Sequence, residues 1–173
     1  HNFSRPIFTN ADPDIAYIYQ ALLINDGLPQ EYFAHPGYLY ILFISLWLNL
    51  LHLLGFLDFI RLEDFFGLEA TEFELKFHLL VQATRYLSFI LAAAFTGLIG
   101  LVVKLLTRSH LIAAMAVLVF VFSPGLILQG LIIRPELLSS LFVFAAFLTL
   151  VHATRSGHWR LPFFLAITAF LSM

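Results

Sequence analysis

The stretch YLSFILAAAFTGLIGLVV, residues 86–103, contains no charged residue and is bounded by Arg85 and Lys104. Three further apolar runs follow it, at 111–133, 137–154 and 161–173. A helix that crosses a bilayer needs about 20 apolar residues, and backbone groups in lipid must form their hydrogen bonds within the same segment. The runs therefore predict transmembrane helices at about 79–103, 111–133 and 137–154, and a truncated one at 161–173.

The composition also indicates a chain surrounded by lipid. Hydrophobic residues make up 61% of the 173 residues and charged residues only 12%, whereas a soluble domain usually carries about 25% charged residues. No basic patch favours nucleic acid as a partner, and the lack of cysteine excludes disulfides and thiolate metal sites. The predicted fold class is all-α: a polytopic transmembrane helix bundle in the lipid bilayer, with an external loop bearing amphipathic helices. Because the sequence starts at His1 and ends inside an apolar run, we expect it to be a fragment of a longer protein.

The distribution of basic residues predicts the orientation of these helices. The loops 104–110 and 154–160 contain lysine or arginine and no acidic residue, so the positive-inside rule assigns both to the cytoplasm. The turn at 129–136 between the two intervening helices is then external. By the same alternation, residues 1–35 and 58–78 are external as well.

Residues 38–57 allow two interpretations. This run is uncharged and long enough to span, yet it carries Asn49 and His52. If both of its flanks are external, it is a re-entrant or in-plane segment; the alternative is an ordinary membrane-spanning segment after a cytoplasmic N-terminal region. The predicted organisation is an external loop with a short amphipathic helix (1–37), this segment (38–57), an external acidic amphipathic segment (58–78), and transmembrane helices (79–173).

Two features predict how the helices pack. Ala92, Thr96 and Gly100 recur every four residues, and such a stripe of small residues allows close approach of another helix. Ser123-Pro124-Gly125 lies within the run 111–133 and should kink that helix, because proline removes a backbone hydrogen bond.

The N-terminal region, NADPDIAYIYQALLINDG at 10–27, predicts a short helix from about 14 to 25. Asp12 or Asp14 can cap its start, and Asp26-Gly27 ends it. One interpretation is that the two acids only cap a surface helix. The other is that one of them takes part in chemistry.

Two later motifs combine charge with a chain turn. His35-Pro36-Gly37 directs the chain toward the apolar run, and His35 can contact a phosphate or hydrogen-bond the turn. Arg134-Pro135-Glu136 forms the short external turn, where an arginine offers a planar fork suited to phosphate or carboxylate. The plainer interpretation of that turn is an Arg–Glu pair or a side chain that reaches back to the interface.

The order of these elements resembles the GT-C class of polytopic membrane glycosyltransferases, near the protein mannosyltransferase and lipid A aminoarabinose transferase families. The motifs that carry the resemblance are ADPDIAYIYQALLINDG, HPGYLY, RYLSFILAAAF and SPGLILQGLIIRPELL. The resemblance implies transfer of a sugar from a polyprenyl-phosphate donor to an unidentified acceptor at the external or lumenal membrane face. It also implies a multi-pass integral membrane protein of the bacterial inner membrane or the endoplasmic reticulum.

Site residues follow from the same resemblance. Asp14, with Asp12 as the alternative, matches the acid that acts as catalytic base or orients the acceptor. The implied substrate-binding residues are Arg134, Glu136, His35 and Tyr17, although Gly37 replaces the second proline of the family's His/Lys-Pro-Pro motif. No cofactor is implied, and a divalent metal oriented by Glu136 is left open.

The chemistry is consistent with this assignment. Sugar transfer needs a base for the acceptor proton and positive charge for the departing phosphate. Two other functions compete with it: a transporter or lipid flippase, which should place polar residues along the middle of its helices, and a non-catalytic membrane scaffold subunit, in which the external acids would be dispensable.

Overall fold

The computed structural model describes residues 13–31, 37–133, 135–156 and 166–167. Over this part of the chain the structure is helical and contains no strand, so the all-α class is confirmed there. The elements are α1 (Pro13–Asn25), α2 (Tyr38–Leu53), a 3₁₀ helix (Leu62–Phe65), α3 (Ala70–Thr107), α4 (His110–Val121), α5 (Pro124–Leu131) and α6 (Glu136–Ser156).

Helix α3 is the axis of the fold. It runs for 38 residues without a break, a length of about 57 Å. The sequence predicted an acidic segment up to residue 78 and a separate helix from 79, but residues 70–78 belong to the same helix. The reason is that five of these nine residues, Ala70, Glu72, Glu74, Leu75 and Lys76, are good helix formers, and Lys76 pairs with Glu72 one turn away at 3.1 Å. The helix ends at Thr107, and the next residue, Arg108, has a left-handed φ of 55°.

The run 111–133 forms two helices where the sequence predicted one kinked helix. Helix α4 ends at Val121 and α5 begins at Pro124. The Ser123 hydroxyl accepts a hydrogen bond from the Leu126 backbone N–H at 3.3 Å and thereby caps α5. Proline at the first position of α5 suits a helix start, since its missing N–H would be unpaired there in any case.

Helices α1 and α2 pack against the first half of α3. The Tyr40 hydroxyl lies 2.9 Å from the Ser88 hydroxyl, and the Trp47 indole N–H donates to the Ala83 carbonyl at 2.8 Å. As α2 advances along the sequence, its contacts move backward along α3, so the two helices are antiparallel. Helix α2 has 16 residues and is about 24 Å long, which is shorter than the roughly 30 Å hydrocarbon core of a bilayer.

The molecule has two parts, of which the first contains most of the acidic residues. We call α1, α2 and residues 54–85 the N-terminal layer, and residues 86–133 and 135–150 the apolar region. The main hydrophobic core lies where the layer meets α3 and α6, and its fully buried members include Ile18, Tyr40, Leu80 and Leu138. Large apolar side chains are exposed in both parts: Phe89, Leu106, Leu111, Val119 and Phe122 in the apolar region, and Leu53, Phe56 and Phe66 in the layer.

Within the described residues, α3 is the helix that is both long and apolar enough to cross a membrane by itself. The other apolar helices, α2, α4 and the described part of α6, are shorter. The structure thus supports membrane association through α3. Spanning by the remaining helices is not shown, and the predicted segment 161–173 lies outside the described residues except for 166–167.

The stripe of small residues on α3 lies against the neighbouring helices. Ala92 and Thr96 are buried. A Cβ placed on Gly130 of α5 would lie 3.8 Å from the Ala92 Cβ, and one placed on Gly100 would lie only 2.6 Å from a Val117 methyl group of α4. Small side chains at these positions therefore permit close packing of α4 and α5 against α3.

Candidate functional site around Asp14

Asp14 lies in the first turn of α1 and is almost completely buried, with 5% of its surface exposed. One carboxylate oxygen accepts hydrogen bonds from Arg85 Nη2 at 2.9 Å and Arg85 Nε at 3.2 Å. The other oxygen accepts the backbone N–H of Ile133 at 2.9 Å. These bonds join α1, α3 and the turn before α6. The Asp14 side chain is thus directed at other segments, which the interpretation as a simple helix cap does not explain.

The negative charge of the buried Asp14 is compensated by the positive charge of Arg85. It is the only charged residue between Lys76 and Lys104, and its side chain is 10% exposed in the pair. A buried charge without a partner costs several kcal/mol, roughly 3–5, so each member of this pair requires the other.

From Arg85 to Lys104 the helix rises by about 28 Å, close to the thickness of a bilayer's hydrocarbon core.

A second contact brings two of the predicted motifs together. Gly37, the last residue of the His35-Pro36-Gly37 motif, has a φ of 112°. A Cβ at this position would lie 3.1 Å from the Pro135 Cβ and 3.5 Å from Tyr17 Cε1. The contact of the two turns therefore requires glycine, both for its backbone conformation and for space.

Tyr17 packs beside this contact between Gly37 and Pro135. It is 5% exposed, and its ring meets Tyr40 edge to face with the centroids 5.8 Å apart. Tyr17 follows Asp14 by almost one helical turn, so both side chains lie on the same side of α1. The site thus has an aromatic wall next to its carboxylate.

Three sequence-predicted site residues, Asp12, His35 and Arg134, lie outside the described residues. Residues one or two positions away from them do meet: Asp14 contacts Ile133, and Gly37 lies against Pro135. Glu136 lies exposed at the start of α6. The structure therefore brings together the N-terminal acid, the turn before α2 and the turn before α6.

Sequence reasoning gave Arg85 no assigned role and did not single out Gln20. The pairing of Arg85 with Asp14 joins residues 71 positions apart, and the available signal was that a lone charge in an apolar stretch needs a partner. Gln20 is 3% exposed, and neither atom of its side-chain amide has a hydrogen-bond partner among the described residues. Nothing in the sequence pattern distinguished Gln20 from a surface residue of α1.

The arrangement has a limited set of chemical capabilities. A carboxylate can accept about four hydrogen bonds, and Asp14 accepts three. A guanidinium has five N–H donors, of which Arg85 gives two to Asp14. The pair can therefore accept one more proton donor and can offer N–H groups to an anion. No group of three histidine or acidic residues within the described ranges could hold a metal ion.

Outside the site, Tyr19 on α1 donates its hydroxyl proton to Glu31 at 3.0 Å. This hydrogen bond, with smaller contributions from desolvation and the Glu31 charge, raises the pKa of Tyr19. The hydrogen bond between Tyr19 and Glu31 ties α1 to the segment that follows it.

Comparison of the chain with models of protein families, with curated proteins and with solved structures gave no match. The assignment of a function therefore depends on the residues of the site itself.

Proposed function

We propose that this chain is part of a polytopic membrane glycosyltransferase of the GT-C type, which moves a sugar from a polyprenyl-phosphate donor to an acceptor at the external membrane face. The observation that carries the proposal is the convergence of Asp14, Arg85 and the backbone of Ile133, three segments distant in sequence, at one level of α3. An acid and an arginine at a membrane interface are the groups that this chemistry needs.

The proposed placement in the bilayer follows from charge and length. Residues 86–103 of α3 cross the hydrocarbon, since Arg85 and Lys104 bound an apolar stretch of matching length. The helices α4 with α5, and α6, cross as further segments and turn their exposed apolar side chains to lipid. Helix α2 is a re-entrant or in-plane segment in this arrangement, because it is too short to span.

In the proposed reaction Asp14 takes the proton from the acceptor nucleophile as that atom attacks the anomeric carbon. The bond from this carbon to the donor phosphate breaks, and its electron pair leaves on the phosphate oxygen. Arg134 binds that phosphate, and Glu136 orients Arg134 or a divalent metal. Arg85 holds the carboxylate of Asp14 in position, and His35 and Tyr17 line the substrate site.

One observation favours a second candidate, a non-catalytic membrane subunit. Both oxygens of Asp14 are already engaged, so the Asp14–Arg85 pair would act as a clamp between α1, α3 and the turn before α6. The two functions differ in what the charge of Asp14 does. A clamp contributes stability alone, whereas a base is needed for turnover.

The test uses the intact protein in membranes with polyprenyl-phosphate-linked mannose, glucose and aminoarabinose, and measures release of polyprenyl phosphate. Loss of a general base typically reduces the rate by about 10²–10⁴, so we expect Asp14→Asn to abolish most transfer. Asp26→Asn, which changes an acid at the other end of α1, is the control and should keep its activity. Undiminished turnover by a folded Asp12→Asn/Asp14→Asn variant would refute the catalytic role of these two acids. If the wild-type protein releases no polyprenyl phosphate from any of the donors, the proposed enzymatic function is refuted.

A further inference from the structure

A groove of about 690 Å³ lies between α2, residues 56–59 and α3, outside the Asp14 site. Its volume falls within the range of roughly 300–1,000 Å³ that is usual for small-molecule sites. Its walls are mainly apolar and aromatic and include Trp47, Leu51, Leu79, Tyr86 and Ile90. The charged residue that lines it is Asp58, and Gln82 adds an amide.

The groove is formed by side chains that are held in place. The Trp47 indole N–H donates to the Ala83 carbonyl at 2.8 Å, which fixes the ring between α2 and α3. Ala83 itself lines the groove, and its small side chain leaves room beside the indole. The amide of Gln82 contacts the His78 ring at 2.8 Å one turn away. A ligand would therefore meet a largely preformed wall.

The groove opens toward the proposed lipid-facing side of α3. Tyr86 and Ile90 line it and are 58% and 47% exposed, and Phe89, at 60%, continues the same apolar surface. Arg85 lies about 120° around the helix from the groove-lining Leu79 and about 100° from Tyr86, by the 100° turn per residue. The groove and the Asp14 site are thus on different faces of α3.

Asp58 gives the groove its polarity. Its carboxylate is exposed and has no hydrogen-bond or ion-pair partner among the described residues. The two basic residues of the segment 58–78 have acidic partners. Arg61 pairs with Glu63 at 3.2 Å, and Lys76, which lies 5.9 Å from the ring centroid of the groove-lining Phe59, pairs with Glu72 at 3.1 Å. An ionised carboxylate can only accept hydrogen bonds, so it favours a ligand group that carries positive charge and N–H donors.

We propose that this groove binds a membrane lipid whose headgroup carries a primary amine. The hydrocarbon chain lies against Trp47, Leu51 and Ile90, and the ammonium group donates to Asp58. A quaternary ammonium has no N–H to donate, and an anionic headgroup is repelled by the carboxylate, so the groove discriminates between lipids with identical chains. The proposal does not depend on sugar transfer, since it requires only the groove and its contact with the bilayer.

The experiment measures lipid retention by the intact, detergent-purified protein with native mass spectrometry. Phosphatidylethanolamine, phosphatidylcholine and phosphatidylglycerol with the same acyl chains are offered in equal amounts. We expect phosphatidylethanolamine to be retained about two- to fivefold better than the other two, because an ion pair at an exposed carboxylate is worth less than about 1 kcal/mol. Asp58→Asn should remove this preference while leaving general lipid binding.

Two matched controls separate the groove from the rest of the surface. Glu74→Gln removes a charge from an exposed acid that does not line the groove, and it should leave the preference unchanged. Leu79→Trp fills the groove and should reduce lipid retention, whereas Leu75→Trp, one turn away on exposed surface, should not. Equal retention of the three lipids, or an unchanged preference in Asp58→Asn, would overturn the proposal.

Discussion

The N-terminal layer and the apolar region satisfy their polar side chains in different ways. In the layer, hydrogen bonds connect distant segments: Asn25 accepts from Ser45 at 2.6 Å and donates to the Ile60 carbonyl at 2.8 Å. In the apolar region, the hydroxyls of Thr96 and Thr149 bond to carbonyls of their own helix. The layer is thus joined by specific polar contacts, and the helices of the apolar region by shape.

Exposed apolar side chains occur in both parts. Leu106 and Val119 of the apolar region are 77% and 74% exposed, and Leu53 and Phe56 of the layer are 82% and 73% exposed. The two parts differ instead in charge, because residues 58–74 contain six acids and residues 86–103 contain no charged residue. Hydroxyls that bond within their own helix suit a segment in lipid, because lipid offers no partner for a free polar group. Both features fit the proposed placement, in which the chain enters lipid at about the level of Arg85.

The largest expected effect comes from breaking the link between the two parts. Arg85→Met leaves the Asp14 carboxylate buried without its cation, so it should lower the free energy of unfolding by about 3–5 kcal/mol. Arg61→Met is the control, because its pair with Glu63 is exposed and should be worth less than about 1 kcal/mol. Unfolding in detergent measures both.

A double variant sharpens this prediction. Asp14→Asn combined with Arg85→Met removes both charges and keeps an oxygen for the Ile133 N–H. It should be more stable than Arg85→Met alone. Strictly additive losses would contradict the coupling of the pair.

Gly37→Ala should have the next largest effect on the free energy of unfolding. It places a Cβ 3.1 Å from Pro135 at a φ of 112°, so it should cost about 2–3 kcal/mol. Gly27 has a φ of 68°, and a Cβ added there would meet nothing within 4 Å, so Gly27→Ala should cost only about 1 kcal/mol. Thermal unfolding compares the two, and equal losses would argue against the contact between the turns.

Two glycines of α3 in the apolar region should respond to alanine substitution with opposite changes in stability. Gly100→Ala brings a Cβ to 2.6 Å from Val117 and should destabilise the packing of α4 on α3 by about 1–3 kcal/mol. Gly97→Ala meets open space on the same helix and should stabilise it by about 0.5–1 kcal/mol. Two variants of the same sign in thermal unfolding would contradict the assignment of the small-residue stripe to packing.

The smallest effects test the contrast in hydrogen bonding directly. Ser45→Ala removes a bond between α2 and α1 and should cost about 1 kcal/mol. Thr96→Val removes only a bond within α3 and should change the stability by less than about 0.5 kcal/mol, because that bond joins no second segment. A larger loss in Thr96→Val than in Ser45→Ala would reverse the comparison.

The sequence predicted the helical class and the positions of the turns because these depend on local signals. Charges bound the apolar stretch of α3, Ser123 caps α5, and Gly27 follows α1. A charged boundary does not end a helix, however, and this is why α3 starts at Ala70. Residues such as Glu72 and Lys76 favour helix as well as the apolar residues after them do.

The candidate site was only partly predictable. Asp14 and the two turns could be identified as motifs, but their convergence depends on contacts between segments far apart, such as Asp14 with Ile133 at a separation of 119 residues. The role of Arg85 as the partner was indicated only by its isolation. The groove beside Trp47 could not be predicted at all, since it exists only where α2 and α3 pack together.

The central claim is that α3 carries the chain across a bilayer, with the Asp14 site at the external face. The chain has no cysteine, so Leu28→Cys near the end of α1 and Thr107→Cys at the end of α3 each introduce a single reactive thiol. We expect a membrane-impermeant maleimide to label Leu28→Cys in intact cells and Thr107→Cys only after permeabilisation. Labelling of both positions from the outside would contradict the account, because the two ends of the fold would then lie on the same side of the membrane.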